Sequence, residues 1–126
     1  MPSKDRSENV LQSFRFAFAG IVHAVTQQRN VRIHFLTAAV VVVLAGLLKV
    51  SLVEWAVLVL TVGFVVVTEM VNTAIEAVVD LVSPDFHELA KVAKDVAAGA
   101  VLVAAVAAVI IGSLIFVPAL KTVAGW

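Results

Sequence analysis

Of the chain's 126 residues, 62% are hydrophobic and 14% charged, nine Lys and Arg balance nine Asp and Glu, and cysteine is absent. A water-soluble domain of this size has no interior large enough for so much apolar surface, so the excess must face a bilayer. The zero net charge gives no footprint for nucleic acid, and the missing cysteines exclude disulfide frameworks, thiolate metal sites and cysteine nucleophiles.

The opening segment, MPSKDRSENVLQ, has neither the apolar core nor the small-residue cleavage site of a signal peptide, and residues 1–8 are expected to be frayed, with the chain beginning in the cytoplasm. From about residue 9 to 28, Leu11, Phe14, Phe18, Ile21, Val22 and Val25 recur at helical spacing, which predicts an amphipathic helix lying along the membrane surface. The run Gln27 to Arg32 then interrupts the apolar pattern with two cations suited to the headgroup level. Three membrane spans are expected, at about 33–50, 54–76 and 96–117, within a single all-α domain covering 1–126. Lys49 can snorkel outward at the far end of the first span, where Trp55 fits the aromatic belt. After the second span, Ser83 as cap, Pro84 at the first helical position and Asp85 in the first turn are expected to start another helix, and Pro118 to end the third span.

Basic residues set the orientation. Lys4, Arg6, Arg15, Arg29, Arg32, Lys91 and Lys94 fall on one side and only Lys49 and Lys121 on the other, so the N-terminus is expected inside and the C-terminus outside.

The chemistry concentrates in one stretch. At about 100° per residue, Glu69, Asn72, Glu76 and Asp80 share one narrow helical stripe that begins within the second span. A carboxylate in hydrocarbon costs several kcal/mol unless it is paired, hydrated or bound to a cation, so the stripe points to function. No GxxxxGK[ST] or GxGxxG loop is present, which excludes the common soluble nucleotide folds. Hard carboxylate oxygens suit magnesium, which takes one or two protein carboxylates together with substrate phosphates. Lys94 is placed to stabilise phosphoryl oxygens with Asp95 orienting it, and Glu69 to accept a hydroxyl proton. These parts suit phosphoryl transfer to a lipid alcohol on the side where ATP is available. Intramembrane carboxylates also mark ion pathways, so a small ion-coupled transporter is the alternative, and a structural subunit tolerant of Glu76→Gln a third. Asp80 can meet Arg29 or Arg32 at the interface. Lys91 is read as a membrane anchor, His23 and His34 as interfacial histidines, and Ala97 to Ala100 as a close-packing surface.

The pattern Glu69-x-x-Asn72-Thr73-Ala74-Ile75-Glu76-x-x-x-Asp80, followed by His87-Glu88-Leu89-Ala90 and Ala93-Lys94-Asp95, closely resembles the prokaryotic diacylglycerol kinase and undecaprenol kinase family. The segment Arg29 to His34 and the segment Ser13 to Gly20 are similar to its undecaprenol kinase branch, and the likeness covers about residues 13–117. This resemblance implies a homotrimer in the bacterial inner membrane whose active sites are shared between neighbouring chains. It implies that Glu69 is the general base on the lipid hydroxyl, that Glu76 holds magnesium, and that Asn72, Lys94 and Asp95 serve catalysis or nucleotide binding. Asp85, Phe86 and His87 are implied to lie against the ATP. Two departures stand out. Gln28 replaces a second metal-binding glutamate and offers a carbonyl oxygen without charge, and Phe16 replaces a nucleotide-contacting tyrosine, keeping stacking but no hydroxyl.

Overall fold

A computed structural model describes residues 9–126, which form four helices and, among the described residues, no strand. They are α1 (Val10–Gln27), α2 (Arg29–Leu47), α3 (Leu52–Val82) and α4 (Glu88–Ala124). The expectation for residues 1–8 lies outside the described residues. Asn9 caps α1, its side-chain oxygen accepting the Gln12 amide at 2.8 Å. The polar run after it interrupts helix at Gln28 alone, which is extended and serves as both the end of α1 and the start of α2. Turning the chain requires only one residue outside helical geometry, and Arg29 to Arg32 tolerate the helix they begin.

A short connection joins α2 to α3. Lys49 takes a left-handed conformation there, with φ of 52°, and the Val50 amide donates back to the Ala45 carbonyl at 3.2 Å. Helix α3 opens with a reciprocal cap: the Glu54 amide donates to Ser51 Oγ at 3.2 Å, and the Ser51 amide donates to Glu54 Oε2 at 2.8 Å.

One expected helix boundary is corrected. Residues 83–87 form a connection rather than a first helical turn. The Ser83 amide closes α3 by donating to the Val79 carbonyl at 2.8 Å, and Ser83 Oγ donates to the Asp85 carbonyl at 2.9 Å. With that hydroxyl engaged in the turn, capping of α4 falls to His87, whose Nδ1 accepts the Leu89 amide at 3.1 Å. Pro118, expected at the end of the third span, lies inside α4, which continues to Ala124. Proline's fixed φ suits a helix at the cost of one backbone hydrogen bond, and the Pro118 carbonyl accepts Thr122 Oγ1 at 3.0 Å.

Helices α2, α3 and α4 are each long and apolar enough to cross a membrane. Their hydroxyls are satisfied within their own helices: Thr37, Thr61, Thr68, Thr73 and Ser113 each donate to the carbonyl four residues earlier. No unpaired hydroxyl is thereby presented to hydrocarbon. Helix α3 is the central element, packing along α4 and α2, while α1 touches both α2 and α3. Near the α2–α3 connection the core consists of Ala45, Leu58 and Ile115, with Trp55 and Phe116 against it. Most large apolar side chains face outward, Phe14 and Phe18 of α1 among them at 70% and 68% exposed. An exterior of this kind belongs in lipid or against neighbouring chains, and the protein is a multi-pass membrane protein.

Close approach of the helices rests on small residues. Ala45 and Ala104 are 0% and 1% exposed, so neither site has room for a larger side chain. Ala104→Leu is expected to push α4 away from the bundle and cost about 1–3 kcal/mol, read as a lowered thermal midpoint in detergent.

Candidate functional site

The stripe predicted on α3 is present, and its burial is graded along the helix. Glu69 and Asn72 are buried, at 2% and 7% exposed, Glu76 is half-buried and Asp80 exposed. The first three lie on the face that α3 turns toward its neighbours, and Asp80 lies beyond the packed part. Asn72 Nδ2 donates to Glu76 Oε1 at 3.4 Å, a long contact that leaves the carboxylate free to take other partners.

Two oxygens in this face are conspicuous. Among the described residues, Glu69 Oε2 and Asn72 Oδ1 are buried without a hydrogen-bond partner. Leaving such an atom unpaired costs about 1–3 kcal/mol, and more for a charged group, which makes this face the candidate place for a ligand. Glu69 Oε2 is 3.9 Å from His34 Nε2 on α2, the nearest titratable neighbour recorded for it. The sequence reading of His34 as an interfacial histidine carries no expectation of this neighbour. The His34 ring is packed inside the bundle, four-fifths covered, against the carboxylate.

Lys94 projects from the second turn of α4 across the connection to α3, where its Nζ lies 2.5 Å from Asp80 Oδ1. This corrects two expectations, that Asp95 orients Lys94 and that Asp80 meets Arg29 or Arg32. Neighbouring residues on a helix diverge by about 100°, so Asp95 points elsewhere and pairs with Lys91, one turn back on its own helix. Lys91 is thus a partner of Asp95 rather than a bare anchor.

The remaining predicted residues are distributed as follows. Asp85 and Phe86 lie exposed in the α3–α4 connection, with His87 ending it as the α4 cap. They frame the same membrane-surface end of the molecule as Asp80 and Lys94. Gln28 is half-buried at the α1–α2 junction, its amide donating to the Ala24 carbonyl at 2.9 Å, and Phe16 lies on α1 at 43% exposed.

No group of three or more His, Asp or Glu able to hold a metal alone occurs among the described residues. The oxygens that are present nonetheless fit a hard cation. Asn72 Oδ1 is buried and unpartnered, and the half-buried Glu76 carboxylate one turn on accepts from the same amide's Nδ2; such a set needs phosphate and water oxygens to complete it, as magnesium sites commonly do.

One residue of the site escaped sequence reasoning. His34 carries no periodic or motif signal that links it to Glu69, and only the packing of α2 on α3 does so. Beside it opens an apolar cavity of about 540 Å³ between α2, α3 and α4, lined by His34, Thr37, Val65, Ala105 and Gly112 among others. The site therefore offers a buried carboxylate next to a ring that lines an apolar cavity, with the Asn72 amide, the Glu76 carboxylate and Lys94 farther along toward the α3–α4 connection.

Comparison with known proteins places these features in context. Residues 15–116 match the family described as prokaryotic diacylglycerol kinase. The chain is 52% identical over 113 residues to a diacylglycerol kinase of Synechocystis sp., covering 89% of this chain and 65% of that relative, just under two thirds of its length. It is 42% identical over 123 residues to an undecaprenol kinase of Bacillus subtilis, covering 95% of this chain and 100% of the relative. A diacylglycerol kinase of Escherichia coli is 33% identical over 101 residues, 80% of this chain and 83% of the relative.

Proposed function

The chain belongs to the prokaryotic diacylglycerol kinase family, a family of lipid kinases, and on that premise we propose that it transfers the γ-phosphate of ATP to the hydroxyl of a membrane lipid alcohol, undecaprenol or diacylglycerol. The observation that carries this reading is the buried, unpartnered Glu69 carboxylate 3.9 Å from His34, whose ring lines the apolar cavity. A hydroxyl delivered there donates its hydrogen bond to Glu69 Oε2, while the lipid tail remains in apolar surroundings. Glu69 then takes the proton as the oxygen attacks phosphorus, and ADP leaves.

Lys94 supplies positive charge to the transferring phosphoryl group, and Asp95 and Asn72 support the bound nucleotide. Asp85, Phe86, His87 and Phe16 would border the nucleotide. Glu76 would hold magnesium, with Gln28 as a neutral additional ligand. When bound, the ion neutralises charge on the β- and γ-phosphates.

The working assembly in this reading is a homotrimer with shared active sites in the bacterial inner membrane, its N-terminus and active site cytoplasmic. The apolar exterior of the single chain supports it, as does the half-open face on which Glu76 lies. Incubation of the purified protein with γ-labelled ATP, magnesium and each alcohol separately is expected to give a labelled lipid phosphate resolved by thin-layer chromatography. Absence of lipid product with both alcohols would overturn the assignment.

A further inference from the structure

His34 meets three features of the site at once. Its ring lines the apolar cavity, its Nε2 lies 3.9 Å from Glu69 Oε2, and that oxygen has no other partner. The separation is too long for a hydrogen bond between the two groups, which prefer about 2.7–3.2 Å. It is, however, the separation of two groups that share a third atom. An oxygen about 2.8 Å from each would see them at an angle of roughly 90°, near the angle between a hydroxyl's O–H bond and its lone pair.

From this geometry we infer that His34 binds the acceptor hydroxyl: Nε2–H donates to the hydroxyl oxygen while the hydroxyl proton is donated to Glu69 Oε2. The inference rests on the proposed lipid kinase reading and adds a residue to it. During transfer the acceptor oxygen forms its bond to the γ-phosphorus and the bond from that phosphorus to the β,γ-bridging oxygen breaks. The hydroxyl proton passes to Glu69, and ADP carries away the electron pair of the broken bond. The imidazole neither gains nor loses a proton. It fixes which lone pair of the oxygen faces phosphorus, and it does so from inside the cavity that holds the rest of the alcohol.

An ordinary packed histidine would serve the bundle equally well as any ring of its size, which makes the two roles separable. His34→Gln keeps an N–H donor near the position of Nε2, His34→Phe keeps the ring volume without a donor, and His34→Ala removes both. Initial rates of lipid phosphorylation are measured for the three variants and the parent protein, varying lipid alcohol and ATP independently, after each variant is shown to elute and unfold thermally like the parent. His34→Phe and His34→Ala are expected to lose about 10-fold to 100-fold in kcat/KM for the lipid alcohol, with KM for ATP within twofold and with substantial recovery in His34→Gln. Full activity in His34→Phe would overturn the inference, as would equal losses toward lipid and ATP or a His34→Gln variant no better than His34→Phe. A variant that fails to assemble is replaced in the comparison by His34→Asn, whose shorter amide also retains a donor. A parent protein that phosphorylates no alcohol would instead defeat the kinase reading itself, a result distinct from any of these.

Discussion

Glu69→Ala is expected to abolish lipid phosphorylation, with a fall of about 10²–10⁴-fold in kcat, the usual contribution of a positioned general base. The physical basis is the isolation of this carboxylate. It is 2% exposed, its Oε2 has no hydrogen-bond partner, and the His34 ring lies 3.9 Å away. Glu69→Asp withdraws the oxygens by about one carbon–carbon bond and should recover only a small part of the rate, since misplacement of about 1 Å can cost about 100-fold. Stability should move the other way from activity. A buried carboxylate without a partner destabilises the helix bundle, so Glu69→Gln, which keeps the shape and removes the charge, is expected to raise or preserve the thermal midpoint while remaining inactive. Rates from labelled ATP and melting curves on the same preparations check both halves. Turnover retained by an assembled Glu69→Ala protein would remove Glu69 from the reaction.

The opposite signs of these two effects show what the sequence could and could not reveal. A helix presenting Glu69, Asn72 and Glu76 on one stripe is legible from spacing alone, because 3.6 residues per turn fixes which residues share a face. The three apolar helices were equally legible, since their composition admits no other solvent. Contacts between helices were not. His34 lies 13 residues before Leu47 and Glu69 lies 17 after Leu52, so in two antiparallel helices they differ in height by only about 6 Å. That near equality was a usable signal, but it needed the shape of the Leu48 to Ser51 connection and the rotation of each helix, which depend on packing. The same limit applies to Lys94. Sequence adjacency suggested Asp95 as its partner, whereas the connection over residues 83–87 brings Asp80 to it. The start of α4 was misread because Ser83 and Pro84 form as good a cap on paper as His87 does in the fold. The hydrogen bond from Ser83 Oγ to Asp85, a local turn contact, decides between them.

The second large effect is expected at Lys94. Lys94→Met should reduce kcat/KM for ATP by about 10²–10³-fold, the loss typical when one donor to a developing negative charge is removed. Here the pairing with Asp80 makes a sharper test possible. The ammonium is held by Asp80 Oδ1 at 2.5 Å, across the connection that also carries Asp85, Phe86 and His87. In the proposed reaction an incoming triphosphate competes for the same cation, so Asp80 is expected to have two opposing effects: it holds Lys94 in place for the phosphates, and it must release some of that charge. Asp80→Asn weakens the hold without removing the cation. Its effect on KM for ATP should therefore be small, within about tenfold in either direction, and far less than that of Lys94→Met. Lys94→Arg retains charge but replaces a compact ammonium with a planar fork, and it should restore only part of the rate. The double variant Asp80→Asn with Lys94→Met should be no worse than Lys94→Met alone, because Asp80 acts only through the lysine; a further loss of tenfold or more in the double variant would give Asp80 a separate role at the nucleotide. Should Lys94→Met keep full turnover at saturating ATP, the positive charge facing the phosphoryl group must come from elsewhere, and the apposition of α3 and α4 at Asp80 would be a structural clip alone.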